Sequence, residues 1–163
     1  SAKAVTDVAI AAIAKDRYSF IVINYANPDM VGHTGQMEAT INALEAVDKQ
    51  LGRLIESINQ AGGTAIIIAD HGNAEYMWDE QHKPWTAHTT NPVPFILIEG
   101  EKLKIPGHGC DVQLREDGRL ADIAPTILEI LQLPQPAEMT GRSMVLPAEV
   151  DIRQNRTPVR LSL

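Results

Sequence analysis

Apolar residues recur at helical spacing in three segments of the chain. From Val5 to Ala14 and from Gln36 to Gln60 they lie three and four positions apart, which predicts two amphipathic helices. The pair Gly62-Gly63 follows the longer segment and predicts its end, because glycine is the favoured residue just after a helix. A third helix is predicted from about Ala121 to Leu131.

Short, continuously apolar runs lie between these helices and predict strands at Phe20–Ile23, Thr64–Ala69 and Phe95–Ile98. Such runs are typical of strands covered on both faces. The first two flank the long helix, which predicts a strand-helix-strand unit with parallel strands and a right-handed crossover. The alternation therefore predicts an α/β fold with a parallel sheet. A hairpin is predicted around Arg115–Gly118, whose Asp-Gly pair favours a tight turn.

Composition and charge narrow the function classes. The 163 residues include 14 basic and 21 acidic ones, which gives a formal net charge of −7. This balance disfavours nucleic acid and membrane as partners, because the backbone of nucleic acid and anionic lipids attract cationic surfaces. No apolar run approaches the roughly 18 residues needed to cross a membrane. The single cysteine, Cys110, excludes an internal disulfide and indicates a reducing compartment, so we expect a cytoplasmic protein.

The length is that of one ordinary domain. We assign residues 1–146 to this domain and residues 147–163 to an extended C-terminal arm, because spaced prolines and then polar residues follow Pro134. The chain starts at Ser1, without an initiating methionine, and enters a helical pattern at once. This start is typical of a piece of a longer protein and also of a processed one.

Two predicted strand ends carry an aspartate and a histidine. Asp29 and His33 lie four residues apart after the first strand, and Asp70 and His71 follow the second directly. In open parallel sheets, sites form at that edge. His88 precedes the third strand, and it can reach the same edge if that strand runs antiparallel or if its loop folds back. We therefore predict that the five side chains converge.

The five residues form a mixed oxygen and nitrogen set, which suits manganese or zinc, with magnesium or cobalt as further options. Five ligands are too many for one tetrahedral site. They are too few for two closed sites, so a binuclear centre would need additional ligands or the substrate.

Ordinary structural roles compete with these interpretations. Asp29 lies in an Asn-Pro-Asp sequence, which is also a turn signal. His82 and His108 lie in polar or glycine-rich loops with no carboxylate at ligand spacing, so we assign both to the surface. Asn73 and Glu75 could shape a site, but a tight turn explains Gly72-Asn73 equally well.

Several segments resemble one known family, the cofactor-independent phosphoglycerate mutases of the alkaline phosphatase superfamily. The matching segments are Asn24-Tyr-Ala-Asn-Pro-Asp-Met-Val-Gly-His-Thr-Gly35, Ala69-Asp-His-Gly-Asn-Ala-Glu75, Thr86-Ala-His-Thr-Thr-Asn-Pro-Val-Pro94, Leu120-Ala-Asp-Ile-Ala-Pro-Thr-Ile-Leu128 and Pro136-Ala-Glu-Met-Thr-Gly141. The Asp-His-Gly element is shared widely in the superfamily, whereas the first and third segments are specific to these mutases.

The resemblance implies a three-layer α/β/α fold with a mostly parallel sheet, like that of alkaline phosphatase, with this chain as a C-terminal portion. It also implies two divalent metal ions, most often Mn²⁺. Asp29, His33 and His88 would hold one ion, and Asp70 and His71 would hold the other. An aspartate and a nucleophilic serine from the N-terminal part of the family's chain would complete the second site.

The activity implied for the longer protein is the interconversion of 3-phosphoglycerate and 2-phosphoglycerate in glycolysis through a phosphoserine intermediate. None of the five serines here lies at a strand-to-helix elbow beside the metal ligands, so we expect no catalytic nucleophile in this chain and no activity from it alone. The missing N-terminal portion would then be its partner. The alternatives are a metal-dependent phosphohydrolase or phosphopentomutase of the same superfamily, and a non-catalytic metal-binding domain.

Overall fold

The computed structural model describes residues 1–100 and 112–147. The chain divides into two compact units, Ser1–Leu103 and Lys104–Leu163. Residues 148–163 lie outside the described part, so the predicted C-terminal arm lies almost wholly outside it, as does His108. No helix of the described part is both long enough and apolar enough to cross a membrane.

Three helices form much of the first unit: α1 (Ala2–Ile13), α2 (Asn27–Gly32) and α3 (Met37–Ala61). Both α1 and α2 pack against α3. The long helix ends at Gly62, which adopts a left-handed φ of 74° that glycine reaches without steric cost. The predictions of α1, α3 and the glycine end are therefore confirmed.

The sheet of the described residues has two strands, β1 (Ala65–Ile68) and β2 (Phe95–Ile98). They run antiparallel, with Ala65 opposite Ile98 and Ile68 opposite Phe95. Of the two options left open for the third apolar run, an antiparallel strand or a loop that folds back, the antiparallel strand is the one observed. Because of it, the chain leaving β1 and the chain entering β2 lie at the same edge of the sheet.

The strand predicted at Phe20–Ile23 is not formed, and neither is its parallel pairing with the Thr64–Ala69 run. Phe20 and Val22 are 52% and 78% exposed, so the run is not the doubly covered strand that its composition predicts. Strand formation requires a neighbouring strand to pair the backbone, and residue type alone cannot supply one. The combination of helices with a small sheet remains that of the predicted α/β class.

In the second unit, a short 3₁₀ turn (Leu120–Asp122) leads into α4 (Ile123–Ile130), which confirms the third predicted helix. Leu114 pairs with Val145 in an isolated antiparallel bridge, flanked by the backbone hydrogen bond from Arg115 to Met144. The hairpin predicted around Arg115–Gly118 is therefore wrong for this part of the chain. The pairing partner of Leu114 is Val145, 31 residues further on, which local turn chemistry cannot indicate.

Asp122 organises the polar interior of this unit. Its carboxylate accepts hydrogen bonds from the backbone N–H of Arg119 (3.0 Å) and of Arg142 (2.9 Å) and from Nη2 of Arg115 (2.9 Å). Its backbone carbonyl accepts the Thr126 hydroxyl, which in turn accepts the backbone N–H of Met144. These bonds attach the 142–144 segment to the start of α4.

Candidate metal site

Helix α2 replaces the loop expected after the first strand, and it carries two of the predicted ligands. Pro28 lies in its first turn, where a missing N–H costs nothing. Asp29 is also in the first turn, and its negative charge is favourable at a helix N-terminus. His33 is the residue just after the helix, four positions on, so both side chains lie on one face.

The chain entering β2 brings His88 to this face. Nε2 of His88 lies 3.0 Å from Oδ1 of Asp29 and 3.1 Å from Nε2 of His33, and the His33 Nε2 to Asp29 Oδ1 distance is 3.2 Å. Among the described residues, Asp29, His33 and His88 form the one group of three with the spacing of metal ligands. The antiparallel sheet thus places candidate ligands from two distant segments in one triangle.

A backbone carbonyl orients His33. Nδ1 of His33 lies 2.6 Å from the carbonyl oxygen of Thr86. Because a carbonyl can only accept, Nδ1 donates to it, and in the neutral form of the ring the lone pair is then on Nε2. That lone pair faces His88 and Asp29. A hydrogen bond of this kind to the second ring nitrogen is the usual support for a histidine that binds metal.

The triangle fits a small divalent cation. Metal–ligand bonds of about 2.0–2.1 Å separate neighbouring ligands by about 2.8 to 3.4 Å from octahedral to tetrahedral geometry, a range that includes the observed edges. In the neutral form of His33, its Nε2 and the Asp29 oxygen are both acceptors, as metal ligands must be. The donor set is therefore suited to hold a metal ion.

Asn73 completes the surroundings of Asp29. Its Nδ2 donates a 2.8 Å hydrogen bond to Oδ1 of Asp29. The approach requires Gly32, because a Cβ there would lie 3.0 Å from Cγ of Asn73 and closer still to its oxygen. Partial burial raises the pKa of Asp29, but the Asn73 amide and the two histidines lower this pKa more, so it lies below its usual value and the carboxylate stays ionised.

The second predicted pair lies beside this triangle. The His71 ring stacks on the His88 ring at a centroid distance of 3.7 Å, and its Nε2 is 4.0 Å from Oδ1 of Asp29. Oδ1 of Asp70 is 3.7 Å from the same Nε2, and the Asp70 side chain is 88% exposed. All five predicted residues therefore lie in one region: Asp29, His33 and His88 form the triangle, His71 stacks on His88, and Asp70 lies at the outer side.

Two contributors lie outside the predicted ligand set. The Thr86 carbonyl has no signal in the sequence, because any residue supplies one. The sequence allows Asn73 as a residue that shapes a site, and its position two residues after His71 is the available signal. His82 is exposed in a turn with a φ of 56°, in agreement with its assignment to the surface.

Comparison with known proteins identifies the class. Residues 1–135 match the model of the Metalloenzyme superfamily, so the chain belongs to that superfamily. The match includes all five predicted ligands and agrees with a site built for divalent cations.

Similar sequences define the group within this superfamily more narrowly. The chain is 71% identical to the 2,3-bisphosphoglycerate-independent phosphoglycerate mutase of Gloeothece citriformis and 72% identical to that of a Cyanothece species, over all of its 163 residues. It spans 31% of the length of each relative. The resemblance seen in the motifs is thereby confirmed.

A solved structure agrees. The fold is similar to that in crystal structures of Leishmania mexicana phosphoglycerate mutase at low cobalt concentration, with a TM-score of 0.77 and 34% sequence identity. The similarity covers 90% of this chain and 28% of that one. The predicted α/β fold class is therefore confirmed.

Proposed function

We propose that this chain is the metal-binding portion of a phosphoglycerate mutase that interconverts 3-phosphoglycerate and 2-phosphoglycerate through a phosphoserine intermediate. The observation that carries the proposal is the Asp29, His33 and His88 triangle, with His33 oriented by a backbone carbonyl. The high identity to named mutases supports the substrate class. A cytoplasmic location stays a prediction from the lone cysteine.

The proposed ligands divide into two sets. Asp29, His33 and His88 would hold the first divalent ion, and Asp70 and His71 would contribute to a second. Manganese is the first candidate, with magnesium, zinc and cobalt as alternatives. Cobalt gains some support from the conditions of the Leishmania mexicana structures. The nucleophilic serine and the remaining ligands of the second ion would come from polypeptide outside this chain.

The chemistry supplied by bound divalent ions is neutralisation of the negative charge on phosphoryl oxygens. The side chains of this chain hold the candidate ligands in place and orient them. Asn73 fixes the Asp29 carboxylate, Thr86 fixes the proton on Nδ1 of His33, and the stacked rings of His71 and His88 restrain one another. The side chains of Asp29, His33 and His88 are 35%, 41% and 48% exposed, which leaves the ligand atoms accessible from solvent.

Calorimetric titration with Mn²⁺ tests the site. The wild-type chain should bind the ion, and His88→Ala should weaken the affinity at least 10-fold because it removes one of three ligands. His82→Ala is the matched control, since it removes an exposed histidine from the same long loop. Equal affinity in the wild-type and His88→Ala proteins would contradict the assignment.

The 163 residues alone should show no mutase activity with Mn²⁺ and 3-phosphoglycerate. Loss of a covalent nucleophile leaves only residual catalysis from binding and electrostatics. Formation of 2-phosphoglycerate above a metal-only blank, if it survives purification and is abolished by Asp70→Ala, would show that this chain carries its own nucleophile. Phosphate release without isomerisation would favour a phosphohydrolase instead.

A further inference from the structure

We propose that Glu75 is a positioning residue for this metal centre: its carboxylate ties the loop after β1 to the loop before β2 and so holds Asn73 and His88 against Asp29. The inference rests on the proposed metal site and assigns a role to a residue outside its ligand set. It follows from which donors each carboxylate oxygen accepts.

The two oxygens of Glu75 serve different loops. Oε2 accepts the backbone N–H of Asn73 at 2.6 Å. Oε1 accepts Nδ2 of Asn91 at 2.9 Å and also the hydroxyl of Thr89. A single side chain therefore bridges residues 71–75 and residues 89–91. Both of its oxygens are thus engaged by donors from the chain, which distinguishes Glu75 from the candidate ligands Asp29, His33 and His88.

The bridged residues are direct neighbours of the ligands. Thr89 follows His88, and its backbone N–H donates to the Gly72 carbonyl at 2.9 Å. Asn73 is the residue whose amide donates to Asp29. Displacement of either loop would therefore change the distances to Asp29, and residues that hold metal ligands in place affect metal affinity strongly.

Gly72 makes this crossing possible. A Cβ at this position would lie 3.0 Å from Cδ of Glu75 and would overlap the Thr89 hydroxyl. The φ of Gly72 is not positive, so the limited space rather than the backbone conformation requires glycine here. The reason for glycine at this position is therefore the close approach of two loops.

Glu75→Gln is the central test, because it keeps the size of the side chain but replaces one acceptor oxygen with an NH₂ group. Glu75 is exposed, so the variant should fold and should unfold near the wild-type temperature. We expect its Mn²⁺ affinity to fall roughly 10-fold, the lower end of the effect of residues that orient ligands. Exchange of the Thr89 amide hydrogen should accelerate. Glu80→Gln, which removes the same charge from an exposed position in the same loop, should change neither quantity.

A second pair of variants tests the Thr89 link. Thr89→Ser keeps the hydroxyl and should bind Mn²⁺ like the wild type, whereas Thr89→Val keeps the shape but loses the donor and should bind more weakly. Wild-type affinity in both Glu75→Gln and Thr89→Val would overturn the inference.

The two proposals fail in different ways. If the wild-type chain binds no Mn²⁺, the proposed function is wrong, and Thr89 amide exchange in metal-free protein then decides the role of Glu75. Faster exchange in Glu75→Gln than in Glu80→Gln would support the tie between the loops. Equal exchange in the two variants would overturn it.

Discussion

Asp29 in the first unit and Asp122 in the second each collect several polar neighbours, but the neighbours differ in kind. The Asp122 carboxylate accepts hydrogen bonds from two backbone N–H groups and a guanidinium, none of which has a lone pair to offer a cation. Asp29 has one obligate donor, the Asn73 amide, and faces imidazole nitrogens that also carry lone pairs. The Asp122 carboxylate is therefore surrounded by donors of the chain itself. The Asp29 cluster combines atoms that a bound cation could bridge.

Exposure follows the same division. The Asp122 side chain is 1% exposed, whereas that of Asp29 is 35% exposed. A buried carboxylate with donors on both oxygens contributes to stability, because removal of either side leaves an unpaired polar group. A partly exposed carboxylate with acceptor atoms beside it is available to a ligand. We therefore expect variants of Asp122 to change folding and variants at the Asp29 cluster to change metal binding.

Asp122→Asn should give the largest loss of stability. Both oxygens of Asp122 accept from N–H donors, so the NH₂ group of the asparagine would face a donor in place of an acceptor. Arg115 would also lose its buried counter-ion. Breaking a buried pair on one side costs about 3 kcal/mol. The measurement is faster hydrogen exchange at the amides of Arg142 and Met144, which donate within this network. Asp29→Asn, the matched change, should leave both amides unchanged. Similar acceleration by the two variants would remove the distinction.

Mn²⁺ should stabilise the first unit. At a free concentration 100 times its Kd, a ligand that binds only the folded state adds about 2.7 kcal/mol. The Thr89 amide should then exchange more slowly, and Asp122→Asn should retain this response. His88→Ala should not respond at the same Mn²⁺ concentration. Full stabilisation of the His88→Ala protein would place the ion elsewhere.

Acid should weaken the second unit through Asp122. Burial raises the pKa of this carboxyl, but the Arg142 N–H, the Arg115 guanidinium and the Arg119 N–H lower it more, to about 2 from an ordinary value of 3.8. A lowered pKa means that the stabilisation is fully present above pH 4 and is lost as the pH falls through 2. A shift of this size corresponds to about 2 kcal/mol.

The same amide exchange measurement checks this prediction. The difference in stability between the wild-type protein and Asp122→Asn should shrink as the pH falls from 5 to 2, because the wild-type carboxylate is then neutralised. A difference that stays constant over this range would show that the charge of Asp122 is not what stabilises the network.

Asp117→Asn should have the smallest effect. Oδ1 of Asp117 lies 2.6 Å from Nη1 of Arg115, but the Asp117 side chain is 66% exposed. Exposed pairs contribute little because solvent and salt screen them. The Arg142 amide should therefore exchange only slightly faster than in the wild type, and added salt should reduce the difference. A loss equal to that of Asp122→Asn would contradict the importance of burial.

The residue types of the candidate site were predictable, and their arrangement was only partly so. Asp29 and His33 are four residues apart, so any helix there places them together. The position of His88 depended on the direction of β2. The sequence was compatible with an antiparallel strand and with a loop that folds back. The contribution of Thr86 could not be predicted, because a carbonyl has no sequence signal. That of Asn73 stayed one of two options, because a tight turn explains Gly72-Asn73 equally well.

The sequence by itself determined the three longer helices and both strands of the sheet, because helical and strand periodicities are properties of neighbouring residues. It also indicated ligand chemistry, since only a few side chains bind divalent cations. Tertiary structure decided that Phe20–Ile23 is not a strand in the described residues and that Asp122 is a structural centre. It also decided which ligands meet, because His88 is 59 residues from Asp29 and 55 from His33. Contacts at such separations depend on how the whole chain packs, and no local pattern specifies them.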